Sequence, residues 1–384
     1  MVAGIALLLA DAAGVIRVLI VPRPSRGLGT VTVRAVRAGF RWVTRFARTF
    51  QAKDRVLAVS EPVALVGLLF TWLAIAVVGF TLVNWGIAGR TFREAFIEAG
   101  SSVFTLGFLR GPGANEVVDF FAAGTGMVLV ALQIAYLPTL YSSYNRRETF
   151  VTLLESRAGA PAWGPEILTR HFLVGMFDSL AGLFAEWERW AADVAESHTS
   201  YPSLLYLRSP RPANSWVVSL VAVMDAAALS LSVDPEGAPI EARMCLRMGF
   251  TCLRDIAQVT GIEFDPDPSP DDPIDLPRAE FDAAYDLLRQ IGYPISRSSD
   301  DAWLHFRGWR INYEHVAYAL AATLDAPPAR WTGPRRLFHG ESLAPVRPTD
   351  RQPRGAPPGP YSRRPRTEPE PAPGVGSDGP PVTG

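Results

Sequence analysis

The longest features of the hydrophobic pattern are two stretches that carry no charged residue. They are residues 62–89, with 28 positions, and residues 120–145, with 26. A helix needs roughly 20 apolar residues to cross the hydrocarbon core of a bilayer, so each stretch predicts one membrane-spanning helix. Residues 1–22 are also mostly apolar, although Asp11 and Arg17 interrupt them, and they predict a third span. Because no basic residue precedes this first apolar run, we expect an uncleaved anchor and not a signal peptide.

Positive charge is concentrated between the first two predicted spans. Residues 23–55 hold nine basic side chains and a single acidic one, Asp54. Loops rich in Lys and Arg stay in the cytoplasm, so this segment is predicted to be cytoplasmic and the amino terminus to lie outside. The second span then runs outward, the third runs inward, and the chain from Arg146 onward is cytoplasmic. We expect a multi-pass protein of the plasma membrane, with the lipid bilayer as its first partner.

Within the basic segment, charged and apolar side chains follow separate helical stripes. The arginines recur at steps of three and four residues, at Arg34, Arg37, Arg41, Arg45 and Arg48. This pattern predicts one amphipathic helix at the surface of the inner leaflet. Such a helix can be a simple topology anchor, a sensor of anionic lipid or a transmitter of force to a pore, and the pattern leaves these roles open.

Residues 91–110 lie between the second and third spans, on the outer side. Thr91 and Glu94 have the spacing of a capping box, which predicts a short helix that ends near residues 100–102. The segment after this helix contains Gly107, and glycine tolerates the backbone angles that are needed when successive carbonyls point at one axis. Irregular backbone at membrane depth occurs only where protein buries it or water lines it. The pattern therefore predicts a loop that enters the membrane and turns back.

The order of outer helix, short helix, loop and inner helix resembles the pore of the potassium channel family. The filter of that family reads Thr-Val-Gly-Tyr-Gly, and this chain has Thr105, Leu106, Gly107, Phe108 and Leu109, with Leu109 at the second glycine and Arg110 after it. The resemblance covers residues 62–145. It implies an ion filter formed by Thr105, Leu106, Gly107 and Phe108, which Ser101 and Ser102 support from behind. It also implies a homotetramer that conducts monovalent cations, K⁺ above all, because one loop supplies only one wall of a filter.

Three residues of the third span are candidates for a gating hinge: Gly124, Gly126 and Pro138. Inner pore helices bend at such residues. The same residue types also permit close helix packing or a passive kink, and the sequence leaves these interpretations open.

After Arg147, apolar residues recur at helical spacing and no alternating strand pattern is visible. Helices are predicted at about 164–195, 213–232, 239–260, 277–291 and 300–324. The predicted fold is an all-α membrane protein with transmembrane helices, a re-entrant pore helix and filter loop, an all-helical cytoplasmic domain and a disordered tail. Its parts are an anchor at 1–22, a basic linker at 23–61, a pore domain at 62–145, a cytoplasmic domain at 146–325 and a Pro- and Gly-rich tail at 326–384.

Candidate chemistry outside the loop is sparse. A net charge of −1 does not favour nucleic acid as a partner. His198 stands beside two hydroxyl side chains, but without a nucleophile-elbow motif we expect a hydrogen-bonded polar corner and no enzyme activity. Cys245 and Cys252 are expected to be core residues, and no ligand spacing predicts a metal or another cofactor. The alternative function is a membrane-anchored interaction or scaffold protein whose re-entrant loop conducts nothing.

Overall fold

The chain folds into α-helices joined mostly by short turns. The computed structural model describes residues 1–20, 28–88, 91–109 and 114–333, and no strand occurs within these ranges. The helices are α1 Val2–Val15, α2 Leu28–Thr44, α3 Phe50–Ala58, α4 Ser60–Ala88, α5 Phe92–Val103, α6 Ala114–Ala158, α7 Gly164–Leu173, α8 Leu180–Ser200, α9 Trp216–Val233, α10 Ile240–Thr260, α11 Arg278–Gln290, α12 Ser299–Arg310 and α13 Glu314–Thr323. The prediction of an all-helical fold is confirmed for these residues. Most of the predicted tail lies outside them.

Four helical stretches are long and apolar enough to cross a membrane: Val2–Leu19, Phe50–Ile87, Glu116–Ala158 and Trp216–Val233. The first three correspond to the predicted spans. Helix α4 is central to this group because it packs against α1, α2, α5 and α6. Large apolar side chains on its outer surface and on α6, such as Phe70 and Phe120, are 61% and 78% exposed. Lipid is the environment in which such exposure costs nothing.

The fourth apolar stretch, α9, has a different environment. Every residue of α9 is buried inside the protein. Helices α7, α10 and α12 supply most of the surrounding contacts, and α6, α8 and α13 complete the shell. A helix that is apolar all round is either a membrane span or the centre of a domain, and complete burial identifies α9 as the centre of the helical domain.

The basic segment forms two helices where one was predicted. Helix α2 ends at Thr44, and α3 begins after Thr49, whose hydroxyl caps it by accepting from the Ala52 amide at 3.2 Å. Arg45 and Arg48 therefore lie in the turn between the helices. Helix α2 also packs along the first turns of α4, where the Thr32 and Thr71 hydroxyls are 3.0 Å apart. One side of α2 is thus covered by α4, while Arg34, Arg41 and Trp42 are exposed.

Helix α6 crosses the predicted boundary between the pore domain and the cytoplasmic domain. Its 45 residues continue without interruption through Pro138 and past residue 145, which corresponds to about 68 Å. Its last turns belong to the core of the helical domain, because Val151, Leu154 and Ala158 are buried there. The two parts of the chain therefore share one helix and have no linker between them.

The helical domain differs in two further details from the sequence prediction. The predicted helix 164–195 divides into α7 and α8, and Gly175 lies at the break with a φ of 71°, which a glycine adopts without strain. The packed chain also continues past residue 325. Trp331 is 3% exposed and its ring lies 5.4 Å from that of Phe306, so we place the end of the packed domain beyond Trp331.

A fully buried arginine ties α6 to the helical domain. The Arg147 guanidinium donates to the carbonyl oxygens of Leu204 and Leu207, each at 2.6 Å, and to the Glu148 carboxylate at 2.8 Å. It also lies 3.0 Å from Nε2 of His198, near the end of α8. Because arginine only donates, Nε2 must accept, so His198 is neutral with its proton on Nδ1. As predicted, His198 is a hydrogen-bonded residue at a polar corner.

The neutral state of His198 predicts a pH dependence of stability. Burial, together with the charge of Arg147, lowers the pKa of His198 well below 6.5. The unfolded chain therefore binds a proton below pH 6.5 that the folded chain excludes, and stability falls as the pH falls. Each pH unit over which this holds lowers the free energy of unfolding by about 1.4 kcal/mol. We expect thermal unfolding of detergent-solubilised protein to show a lower Tm at pH 5.5 than at pH 7.5.

A substitution separates this effect from that of a second buried histidine, His171, whose pKa is also lowered by burial. In His198→Gln the amide oxygen can still accept from Arg147, so the variant should fold and show a smaller Tm difference between the two pH values. A pH dependence equal to that of the wild type would show that His198 is not the responsible group.

Candidate pore loop

The short helix between the second and third spans begins as the sequence predicts. The Thr91 hydroxyl accepts from the Glu94 amide at 3.3 Å, and the Glu94 carboxylate accepts from the Thr91 amide at 3.0 Å. These two bonds complete the capping box, and α5 follows from Phe92 to Val103. The helix ends one residue beyond the predicted range.

Helix α5 packs against both α4 and α6. Its buried side includes Ala95, Ala99 and Val103, which are at most 2% exposed. Glu98 is also fully buried, whereas Glu94, one turn earlier on the same face, is exposed. Burial thus increases toward the end of α5, where the loop begins.

The loop after α5 curls back over Ser101. The amides of Leu106 and Gly107 donate to the Ser101 carbonyl oxygen at 2.8 and 3.5 Å. The next two amides, of Phe108 and Leu109, donate to the Ser101 hydroxyl oxygen at 3.1 and 3.3 Å. Four consecutive amides therefore converge on one residue at the end of the helix.

This convergence determines where the loop carbonyls point. In a trans peptide unit the C=O of one residue and the N–H of the next point in opposite directions, and these peptides are trans. Since the amides of residues 106–109 face Ser101, the carbonyls of Thr105, Leu106, Gly107 and Phe108 face away from it. All four residues are exposed. The carbonyls predicted to form a filter therefore lie on the open side of the loop.

Two residues of the loop have positive φ angles. Gly107 has a φ of 70°, and Thr105 has a φ of 56°. An L residue in this region is strained, at a cost of order 1–3 kcal/mol, and such strain persists where the surrounding bonds hold it. Here the Thr105 amide donates to the Ser102 carbonyl at 2.9 Å, immediately before the amides that bind Ser101.

The two serines that were predicted to support the filter make different contacts. Ser101 binds the loop as described above. The Ser102 hydroxyl instead donates to Asp119 of α6 at 2.7 Å, so its side chain fastens α5 to the next helix. Sequence reasoning missed Asp119, although its position directly before an uncharged stretch marks it as a residue at the membrane boundary.

The predicted hinge residues lie within the uninterrupted part of α6. A Cβ added at Gly126 would come within 1.9 Å of the Val103 carbonyl oxygen, whereas one added at Gly124 would meet no atom within 4 Å. Gly126 therefore permits the close approach of α5 and α6. Pro138 lies within the helix without ending it.

Within the described ranges, no group of three or more His, Cys, Asp or Glu side chains could hold a metal ion. Cys245 and Cys252 are both fully buried, and burial raises the pKa of each thiol. Neither cysteine is therefore poised as a thiolate nucleophile.

No family model matches this chain, and neither the curated proteins nor the solved structures gave a match.

The Ser101 contacts predict the effect of removing one hydroxyl. In Ser101→Ala the amides of Phe108 and Leu109 lose their acceptor, whereas those of Leu106 and Gly107 keep the backbone carbonyl. A hydrogen bond contributes about 1 kcal/mol, so the amides of Phe108 and Leu109 should exchange with deuterium about fivefold faster. Residue-resolved hydrogen–deuterium exchange measures this, and Ser102→Ala should leave the same two amides unchanged. Equal exchange in both variants would contradict the role of Ser101.

The contact at Gly126 predicts a loss of stability on the addition of one methyl group. In Gly126→Ala the new Cβ clashes with the Val103 carbonyl, and overpacking of this kind costs about 1–3 kcal/mol. The Tm of the purified protein in detergent should fall. Gly124→Ala is the matched control on the same helix and should leave the Tm unchanged or higher, since alanine is the better helix former. Equal Tm values would show that α5 and α6 do not approach closely at Gly126.

Proposed function

We propose that the protein conducts monovalent cations, with K⁺ as the principal ion, through a pore formed by four copies of the chain around one axis. The observation that carries this proposal is the convergence of the amides of residues 106–109 on Ser101. It directs a row of backbone carbonyls away from the protein body. Rings of such carbonyls replace the hydration shell of a cation in a selectivity filter.

The exposure of the loop supports assembly. Leu106 and Phe108 are 62% and 64% exposed in the single chain. Apolar side chains at the tip of a loop between two membrane helices need a partner surface or lipid to cover them. In the proposed tetramer the loops of neighbouring copies supply that cover, and four loops together supply the four walls of the filter.

Helix α6 is the element through which the helical domain would act on the pore. It holds the end of α5 through the Ser102–Asp119 bond and the Gly126–Val103 contact, and about 68 Å of continuous helix leads from there into the domain core. A shift of the domain would therefore reach the loop through one rigid body. In this proposal the protein lies in the plasma membrane with the helical domain in the cytoplasm, as the basic charge of residues 23–55 indicates.

A surface on the helical domain favours the alternative function of a membrane-anchored interaction protein. Ile240 and Met244 lie one turn apart on α10 and are 75% and 47% exposed. Exposed apolar residues at this spacing are typical of a surface that receives a partner protein. In this alternative the loop holds its shape but conducts nothing.

Ion flux into liposomes tests the proposed function. Gly107→Ala places an L residue at a φ of 70°, at a cost of about 1–2 kcal/mol. The loop conformation in which the amides of residues 106–109 bind Ser101 should therefore be roughly 5- to 30-fold less populated. We expect K⁺ flux to fall at least fivefold. Gly182→Ala, on the exposed face of α8 with no atom near the new Cβ, is the matched control and should conduct like the wild type.

Two results would overturn the proposal. One is a wild-type flux no greater than that of protein-free liposomes, and the other is an unchanged flux in Gly107→Ala. Crosslinking in detergent should give a tetramer, whereas a monomer or dimer that is indifferent to changes at Gly107 would favour the interaction protein.

A further inference from the structure

A cavity of about 120 Å³ lies where the basic helix α2 meets the helical domain. Its wall includes Leu57 and Ser60, at the junction of α3 and α4, together with Tyr206 and the segment 323–325. Four arginines also line it: Arg34, Arg37, Arg41 and Arg208. Their density gives the cavity the chemistry of an anion site.

Two of the four arginines are held rigidly by carboxylates. Arg37 forms two hydrogen bonds to Glu61, at 2.7 and 2.9 Å, and its guanidinium lies 3.4 Å from the centre of the Tyr206 ring. Arg208 pairs with Asp54 and donates to the backbone oxygens of residues 324 and 325 at 2.8 and 2.9 Å. A ligand would therefore meet these two guanidinium groups already in position.

The other two arginines are uncompensated. Arg34 and Arg41 are exposed and share a face of α2 with Arg37, and their side chains make no hydrogen bond or ion pair within the described part of the chain. The five cations here are Arg34, Arg37, Arg41, Lys53 and Arg208, and the three carboxylates are Asp54, Glu61 and Asp325. Two positive charges remain, which matches the charge of about −1.5 to −2 on a phosphate monoester.

The predicted topology places the cavity at the depth of the lipid headgroups. The uncharged stretch of α4 begins at Pro62, two residues after Ser60 of the cavity wall. Close by on the chain, Trp42 and Phe46 are 59% and 72% exposed and pack edge to face with ring centres 5.5 Å apart. Exposed aromatic residues beside a basic surface are typical of the membrane interface.

We propose that this cavity binds a phosphate group, with Arg34 and Arg41 as the residues that confer affinity and Arg37 and Arg208 as preorganised donors. Arginine is suited to this role because its planar group forms paired hydrogen bonds to phosphate oxygens. The depth of the cavity favours an anionic phospholipid headgroup as the source of the phosphate, and a soluble phosphate compound offers the same chemistry. Because α2 and the helical domain both line the cavity, the ligand would join the two. The proposal does not depend on ion conduction.

Ligand titration of the full-length protein in detergent tests this site. Wild type, Arg34→Gln/Arg41→Gln and the matched control Arg45→Gln/Arg48→Gln would be titrated with phosphatidic acid, with phosphatidylcholine and with inorganic phosphate, and binding followed by the shift in Tm. The control removes the same charge from exposed arginines outside the cavity. Loss of two basic contacts should weaken the binding of phosphatidic acid roughly 30-fold in the first variant. The affinity of the control variant for phosphatidic acid should fall less than about threefold. Phosphatidylcholine should not stabilise any of the three proteins.

The outcomes distinguish the source of the phosphate from the existence of the site. Stabilisation by phosphatidic acid that requires Arg34 and Arg41 supports a headgroup site. Stabilisation by inorganic phosphate alone, with the same requirement, supports the site with a soluble ligand. An equal loss of affinity in the two double variants would show that binding depends only on general surface charge, and would overturn the proposal. The absence of stabilisation by any phosphate compound would overturn it as well.

Discussion

The arrangement of this protein depends on satisfying one buried positive charge. Arg147 has no exposed surface, and a buried charge that loses a partner costs about 3–5 kcal/mol, so every acceptor around it is constrained. Those acceptors are the adjacent Glu148 carboxylate, two carbonyl oxygens of the turn at 202–207, and His198 near the end of α8. The same part of the chain presents Tyr206 and Arg208 to α2 and α3. Arg147 therefore holds in place the segment through which the helical domain contacts α2 and α3.

A comparable constraint acts on the loop after α5. A backbone amide that loses water on folding needs an acceptor, and the structure satisfies four of them with the two acceptor oxygens of Ser101. Ser102 and Gly126 then hold α5 against α6, one through a hydrogen bond to Asp119 and the other through the absence of a side chain. Because the amides are directed inward, the carbonyls are directed outward without any further interaction.

The parts that the sequence predicts are those governed by local rules. Apolar stretches, two of them uncharged, predicted the three spans, and the spacing of Thr91 and Glu94 predicted the start of α5. Tertiary packing decided the rest. The sequence of an apolar stretch such as α9 fits either a membrane span or the centre of a domain, and only the surrounding helices distinguish the two. Ser101 and Ser102 are equivalent in sequence, but neighbours on a helix point about 100° apart, so one reaches the loop and the other reaches α6. Except for the adjacent Glu148, the partners of Arg147 lie more than 50 residues away and leave no local signal.

The continuity of α6 also decides what the helical domain is as a physical unit. Its core includes Val151, Leu154 and Ala158, which lie on the last turns of a helix that begins at Ala114, beside the loop after α5. A fragment that started at α7 would lack these side chains and would leave an apolar face of α9 uncovered. The smallest self-contained version of this domain must therefore start within the helix, upstream of Arg147, so the end of the predicted third span is not a boundary of folding.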